Sequence, residues 1–494
     1  MPFKVGLKTV DRQWEFRVAL AGPTLLDLMN GQEIPIKSSC LGKGICHQCR
    51  VQIQSGFQPP SSADKKAFSS SELADGWRLS CTLRPKSVVD AFFPQAYVFT
   101  ESIKVNRSPK SDWQYVVDLG TTGIEILALD SEGIWAECKA LNRLVLYGSD
   151  IMTRVECSQK KGVEFLHKKL FLQLGQLHGK MVEGLSTDFH FVKKWTISGN
   201  SVMSAIATNH SLESLAVAPY EPESLSGQVI SSEYGEIETL PLLHSFIGGD
   251  LTAAVYSKWL QNRKLLESPR WVLVDVGTNS EILFWDGQRL FVSSTPAGPA
   301  FEGANISIGM RAEAGAIVDP EYQPDSKCWK FSILGGDLPK GLCGSALIDM
   351  VAQAVTHGLV AEDGEVLLPE QMRLTDRLQL SQADIREFQL AKSAIRTGID
   401  LVMTQSEQAP EELLLAGNFG EHLHHKNCQQ LGLFPELPTK VIGNSSLRGV
   451  LDWSQTGSDL HQEFCEWLEQ VKSPIELALR AEFQDQFIKN MSLG

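Results

Sequence analysis

Two hydrophobic periods alternate along this chain and change at definite places. Phe3-Lys4-Val5-Gly6-Leu7 and Trp14-Glu15-Phe16-Arg17-Val18 alternate apolar and polar residues, which predicts a pair of half-buried strands. Pro23 then precedes Thr24-Leu25-Leu26-Asp27-Leu28-Met29, and proline near a first turn predicts a short helix. Strand alternation resumes at Arg50-Val51-Gln52-Ile53, so residues 1–92 read as a small β-rich domain. From 93 to 112 no period is strong, and Pro94, Ser102, Ser108, Pro109 and Ser111 interrupt it. This stretch reads as a linker, with room for an extra strand from Ala96 to Phe99.

Beyond the linker, strands and helical stretches alternate, the pattern of an α/β protein. One segment is echoed within it. Tyr115-Val-Val-Asp118-Leu-Gly120-Thr121-Thr122 recurs as Val272-Leu-Val-Asp275-Val-Gly277-Thr278-Asn279. Each copy predicts an apolar strand, a tight Asp-x-Gly-Thr turn and a second strand, Ile124 to Asp130 or Glu281 to Asp286. The duplication predicts two lobes, 113–268 and 269–494.

Composition narrows the function classes. Against 45 Lys and Arg stand 59 Asp and Glu, a formal charge of −14. That balance argues against broad nucleic-acid binding, which needs clustered cations, and suits a soluble partner with a basic docking patch. The segment Met1 to Val10 lacks the apolar core of a signal peptide, and no apolar run approaches the roughly 18 residues of a membrane helix. A cytoplasmic protein is expected.

Ten cysteines are too sparse for a disulfide scaffold, but four lie before residue 82. Cys40-Leu-Gly42-Lys-Gly44-Ile-Cys46-His-Gln-Cys49, with Cys81 downstream, has the pattern of a four-thiolate iron–sulfur loop. Its five-residue first gap resembles vertebrate-type and related bacterial [2Fe–2S] ferredoxins. Gly42 and Gly44 let the backbone curl round a cluster. A structural zinc site would usually show two CxxC-like pairs, and Cys81 stands alone. Cys138, Cys157, Cys328, Cys343, Cys428 and Cys465 have no such spacing and read as incidental thiols.

Asp-x-Gly-Thr turns supply backbone N–H groups for phosphate oxygens and a carboxylate for hydrated Mg²⁺. One such turn is weak evidence; two, one per lobe, would grip a nucleotide from both sides. Further glycine-rich pieces follow at Gly248-Gly-Asp250, Ala297-Gly-Pro-Ala-Phe-Glu302-Gly303, Gly341-Leu-Cys-Gly344-Ser345 and Ala416-Gly417-Asn418-Phe-Gly420. The last suits a turn against adenine or ribose. No Walker A sequence is present, so a P-loop fold is not indicated. His422, His424, His425 and Cys428 look like a metal cluster but read as a solvated face, with His422 and His425 on one helix and no second ligand group nearby. Lys160, Lys161, Lys168 and Lys169 read as a helix exterior.

Taken in order, these motifs, with Gly309-Met-Arg311-Ala, Gly443-Asn444 and Pro474-Ile-Glu-Leu477, resemble the reductive activators of corrinoid-dependent enzymes. The resemblance runs almost end to end. It implies an α+β ferredoxin-type (β-grasp) domain followed by an α/β two-lobed actin/Hsp70/sugar-kinase-like (ASKHA) core. It also implies a [2Fe–2S] cluster, ATP and Mg²⁺ as cofactors. Members use ATP to pass one electron to an inactive Co(II) corrinoid protein of a methyltransferase system, restoring Co(I).

By motif, Cys40, Cys46, Cys49 and Cys81 would ligate the cluster. Asp118, Gly120, Thr121 and Thr122 would form one phosphate loop, and Asp275, Gly277, Thr278 and Asn279 the other. Gly417 and Gly420 would border the adenosine, while Asp250 and Glu281 would position Mg²⁺ or the attacking water. The resemblance further implies an upstream electron donor, no nucleic-acid or membrane partner, and room for a homodimer. The chain departs from the family's pattern at His47-Gln48, between the second and third cysteines, and at Asn418, where a second glycine is common. The competing readings are a small-molecule kinase with a redox-sensing ferredoxin domain, and an ATP-binding docking protein without hydrolysis.

Overall fold

Strands β1 (Phe3–Lys8) and β2 (Gln13–Val18) pair antiparallel, as the alternation predicts, with Val5 and Leu7 buried. A computed structural model describes the chain apart from residues 1, 10–11, 19–21, 37, 39, 57, 94–100, 111–112, 184, 186–191, 219, 262–267 and 337. It divides into two compact units, 1–249 and 250–494. Among the described residues, no helix is long and apolar enough to cross a membrane.

In the first unit, β3 (Arg50–Ser55), β4 (Trp77–Leu79) and β5 (Val89–Phe92) complete a five-stranded sheet in the order β2-β1-β5-β3-β4. Helix α1 (Leu25–Gly31) packs Leu25, Leu26 and Met29 into its core. Thr24, not Pro23, caps that helix, in a reciprocal box with Asp27. Two short helices, α2 (Ser62–Ala67) and α3 (Ser70–Ala74), lead into β4.

The stretch expected to be a linker holds a strand, β6 (Glu101–Val105). It is the edge of a seven-stranded sheet that contains β7 (Gln114–Leu119), β8 (Gly123–Asp130), β9 (Gly133–Leu141), β10 (Lys194–Ser198), β11 (Val229–Ser232) and β12 (Gly235–Thr239). The hydrophobic pattern misses β6 because its face is polar. Glu101 is held there by Arg143 at 3.3 Å and by Lys180. The strand expected from Ala96 to Phe99 lies outside the described residues. Helices α4 (Ile151–Lys161), α5 (Val163–Met181) and α6 (Ser201–Thr208) belong to the same unit.

The second unit opens in α7 (Gly249–Gln261), ahead of the boundary expected at 269. Its main sheet has β13 (Trp271–Asp275), β14 (Asn279–Trp285), β15 (Leu290–Pro296), β19 (Glu412–Ala416), β20 (Thr439–Gly443) and β21 (Lys472–Pro474). A smaller sheet joins β16 (Ala316–Gln323), β17 (Cys328–Ile333) and β18 (Gly341–Leu342). Helices α8 (Gly344–Thr356) and α9 (Gln382–Met403) supply much of the core. The duplication is visible in the pairing. In each unit the Asp-x-Gly-Thr strand lies parallel to a later strand on one side and antiparallel to its own hairpin partner on the other: β10-β7-β8-β9 against β19-β13-β14-β15.

Asp130, at the end of β8, fastens the chain entering this sheet. Its carboxylate accepts from Arg107 at 2.6 and 2.7 Å and from the backbone N–H of Lys110 and Glu132 at 2.9 and 2.8 Å. The Arg107 guanidinium and these N–H groups hold its carboxyl well below the usual carboxylate range. Its contribution is therefore complete above the unfolded value near ~4 and is lost as pH falls towards the depressed folded value. Asp130→Asn is expected to cost about 2–3 kcal/mol at pH 7 in urea unfolding of this unit. It should also flatten the wild-type loss of stability on acidification.

Candidate functional site

The cysteine loop is shaped by backbone that most side chains avoid. Leu41 (φ 49°), Gly42 (82°), Gly44 (74°) and His47 (54°) all take left-handed conformations between Cys40 and Cys49. Cys81 is brought to this loop from the far end of β4. Ser80 N–H donates to Cys49 O at 2.8 Å, and Leu26 N–H of α1 donates to Ser80 O at 3.1 Å. Asp64, buried in α2, accepts from Leu79 N–H at 2.7 Å and Thr82 Oγ1 at 3.2 Å, on either side of Cys81. No sequence signal beyond its place in a capping box marked Asp64.

The four thiols meet as two pairs. The free thiols of Cys40 and Cys46 share a hydrogen bond, which pushes Cys40 down to about 4 and Cys46 up. A hydrogen bond between the free thiols of Cys49 and Cys81 likewise lowers Cys49 to about 7 and raises Cys81. Thiols this close repel one another as thiolates, and a bound cation would relieve that repulsion. Two pairs of thiolates suit a cluster of two irons, the donor set of a [2Fe–2S] centre.

The first Asp-x-Gly-Thr turn joins β7 to β8, with Asp118 opposite Glu125 and Leu119 opposite Ile124. Its carbonyl oxygens are engaged from behind. Fully buried Asn142 donates through Nδ2 to Gly120 O at 2.8 Å, and its N–H donates to Thr122 O at 2.7 Å. Buried Arg154 of α4 donates to Thr121 O, and Asn200 Nδ2 donates to Thr121 Oγ1 at 2.9 Å. With the oxygens occupied this way, the turn offers an approaching anion little opposing charge. Asn142, Arg154 and Asn200 were not evident from the motif, because they come from elements well separated in sequence.

The second turn joins β13 to β14. Asp275 lies directly opposite Glu281, which places the two side chains on one face. Burial first, then the charges of Asp275 and Asp250, push the Glu281 carboxyl well above its ordinary value. Of the two candidate acids, Glu281 thus faces Asp275 directly, and Asp250 lies near enough for its charge to act on Glu281. Gly417 (φ 75°) presses on the same carboxylate, since a Cβ there would lie 2.4 Å from Asp275 Oδ1. Gly420 instead packs on Leu415 of β19. Carboxylates of like charge on one face favour a hydrated divalent cation between them, or the protonated form of one of them.

Glu302 is a functional candidate that the motif reading passed over. Its carboxylate accepts from Thr278 N–H at 3.1 Å and from Thr278 Oγ1, and Arg311 lies 4.0 Å away. An internal carboxylate therefore occupies the donors assigned to a phosphate. Gly298 N–H, at 3.0 Å, engages Thr278 O. Its only sequence signal was its position in Ala297-Gly-Pro-Ala-Phe-Glu302.

The histidine cluster is rearranged relative to expectation. His422 follows the short helix α10 (Gly417–Gly420), whereas His425 begins α11 (His425–Gln430), so the two share no helix. A ligand group does lie nearby. His424 Nδ1 is 2.8 Å from Asp349 Oδ2, Asn427 donates to Asp349 Oδ1 at 2.6 Å, and Asp319 completes a trio within 4.8 Å. Cys428 is buried rather than solvated. Hydrogen bonds satisfy the buried Asp349, so this cluster reads as a fastening between α8 and α11.

Residues 8–86 match the 2Fe-2S iron-sulfur cluster binding domain, residues 114–263 the RACo middle region, and residues 270–494 the C-terminal domain of RACo, the ASKHA domain. The chain is 25% identical over 496 residues to the corrinoid activation enzyme RamQ of Eubacterium limosum, covering 90% of this chain and 79% of that one. It is 23% identical over 380 residues to the Co(II) methylated amine-specific corrinoid protein reductase of Methanosarcina barkeri, covering 67% and 68%. A solved structure titled reductive activator for corrinoid, iron-sulfur protein shares the fold, with a TM-score of 0.66 at 21% identity over 99% of this chain and 98% of that one.

A carboxyl whose folded value is raised destabilises the fold as pH climbs above its unfolded value near ~4.3. Glu281→Gln is therefore expected to stabilise the second unit by about 1–2 kcal/mol at pH 8 and by little at pH 4. Thermal melts at the two pH values check this.

Proposed function

The chain belongs to the RACo family, with a 2Fe-2S domain ahead of that family's middle and C-terminal regions, and on this premise we propose an ATP-dependent reductive activase. It passes one electron to an inactive Co(II) corrinoid protein and restores the Co(I) state that accepts a methyl group. The observation that carries this reading is that one compact unit holds both a four-thiol loop and an Asp-x-Gly-Thr turn backed by occupied carbonyls.

Cys40, Cys46, Cys49 and Cys81 would hold the [2Fe–2S] cluster, which when bound supplies the electron one at a time. Asp118, Gly120, Thr121 and Thr122 contribute one phosphate loop, and Asp275, Gly277, Thr278 and Asn279 the other. Gly417 and Gly420 shape the adenosine side. Asp250, Asp275 and Glu281 fit Mg²⁺ through its waters, because the cation would stabilise a carboxylate that burial first, and then its two neighbours, disfavour at Glu281. Glu302 must leave Thr278 before a phosphate oxygen takes its place.

Reducing Co(II) corrinoids requires a more negative potential than a [2Fe–2S] centre commonly offers, and each ~59 mV uphill lowers a one-electron equilibrium constant tenfold. Nucleotide binding can offset that deficit by favouring a partner complex in which Co(I) is stable, without ATP touching the electron. The setting is cytoplasmic, with a soluble upstream donor and a corrinoid protein as partners, and no nucleic acid or membrane. The acidic surface suits a basic docking patch on one of them.

The test uses the anaerobically purified, reduced chain mixed with a Co(II) corrinoid protein. Absorbance should show Co(I) forming with Mg-ATP and not without it. Cys81→Ser should abolish this Co(I) formation. Phosphorylation of a small metabolite with no Co(I) from several corrinoid proteins would replace this reading with a kinase.

A further inference from the structure

Helix α4 lies between the two chemistries of the first unit and touches both. At one end of this chain of contacts, Lys43, within the cysteine loop, pairs with Glu156 of α4 at 2.5 Å. At the other, Arg154 of the same helix donates to Thr121 O in the phosphate turn and to Gly148 O at 3.1 Å. Residues 154 and 156 are two apart, about 200° round a helix, so they serve opposite faces. Arg154 is fully buried, whereas Glu156 meets the surface, where it also pairs with Lys160 at 2.8 Å.

Further contacts join the N-terminal domain to the seven-stranded-sheet domain around this ion pair. Leu41, with its left-handed backbone, packs its side chain against the core of the seven-stranded-sheet domain. Lys169 of α5 pairs with Glu33 at 2.7 Å, and Tyr147 Oη donates to Asn30 O at 3.4 Å. The helix start is fixed too, by a reciprocal box between Asp150 and Thr153. These contacts make a short, continuous path: Cys40 loop, Lys43, Glu156, α4, Arg154, Thr121.

We propose that α4 couples the two sites, so that occupation of the Asp118–Thr122 turn by nucleotide moves the Lys43 ammonium relative to the cysteine sulfurs and changes the cluster's reduction potential. The inference rests on the nucleotide reading above. A phosphate settling on Thr121 and Thr122 must adjust the carbonyl that Arg154 grips. Arg154 is buried and multiply bonded, so the helix follows it. A cation near the sulfurs favours the more negative, reduced cluster, and moving it shifts the potential. Linkage requires the reciprocal effect, in which nucleotide binds the oxidised and reduced protein with different affinity.

The ion pair is half-exposed and contributes little to stability, so it can be cut without unfolding the domain. The experiment is an electron paramagnetic resonance redox titration of the full chain with its cluster. It is run with and without a non-hydrolysable Mg-ATP analogue, beside calorimetric affinities for the oxidised and reduced forms. Wild type should show about a threefold affinity ratio, which at ~59 mV per tenfold is a shift of ~28 mV. Glu156→Gln should bind the analogue and keep the resonance spectrum but lose the shift. Lys160→Ala, which cuts only the other partner of Glu156, should retain it. Wild type that binds the analogue with no shift, or Glu156→Gln that keeps the full shift, overturns the coupling and leaves the nucleotide reading standing. Wild type that binds no analogue overturns both.

Discussion

An anion rests on a backbone turn only when the turn's own oxygens are drawn away from it. The first Asp-x-Gly-Thr turn of this protein meets that constraint. In the first unit the task falls to Asn142, which spends its side chain on Gly120 O and its backbone N–H on Thr122 O, and to Arg154 on the carbonyl between them. Their burial costs desolvation, and the hydrogen bonds repay it only while the turn keeps its shape. The shape of the turn is thus tied to that of the buried groups behind it. In the second unit a carboxylate, Glu302, covers Thr278 instead, so the two copies of one motif rest in different electrostatic states.

The placement of the fixed charges follows from the same economy. Asp275 and Glu281 face one another across β13 and β14 because strand register leaves them no choice, and Asp250 adds a third carboxylate. Such a trio is tolerated in a fold only where something positive is expected or a proton is retained.

Much of this was legible in the sequence, and for physical reasons. The cysteine spacing, the glycines between the thiols and the duplicated Asp-x-Gly-Thr segment are local patterns, and local patterns survive in a linear reading. The two main sheets follow from apolar runs such as Tyr115-Val-Val and Val272-Leu-Val, buried on both faces. What escaped was the support at long range. Asn142, Arg154 and Asp64 act through hydrogen bonds to distant backbone, and nothing in their own neighbourhoods announces the partner. Strand β6 escaped because it is an edge held by charge, with Glu101 between Arg143 and Lys180, so its pattern resembles that of a linker. The histidines after Gly420 are neighbours only in sequence, while the fold separates His422 from His425 and gives His424 to Asp349.

Leu41 carries a consequence for how the protein is made. Its backbone sits in the left-handed region that residues other than glycine rarely adopt, and its partly buried side chain packs against a core built from residues beyond 112. The surface on which this side chain rests is therefore synthesised only after the whole N-terminal domain, and until then Leu41 remains open to water.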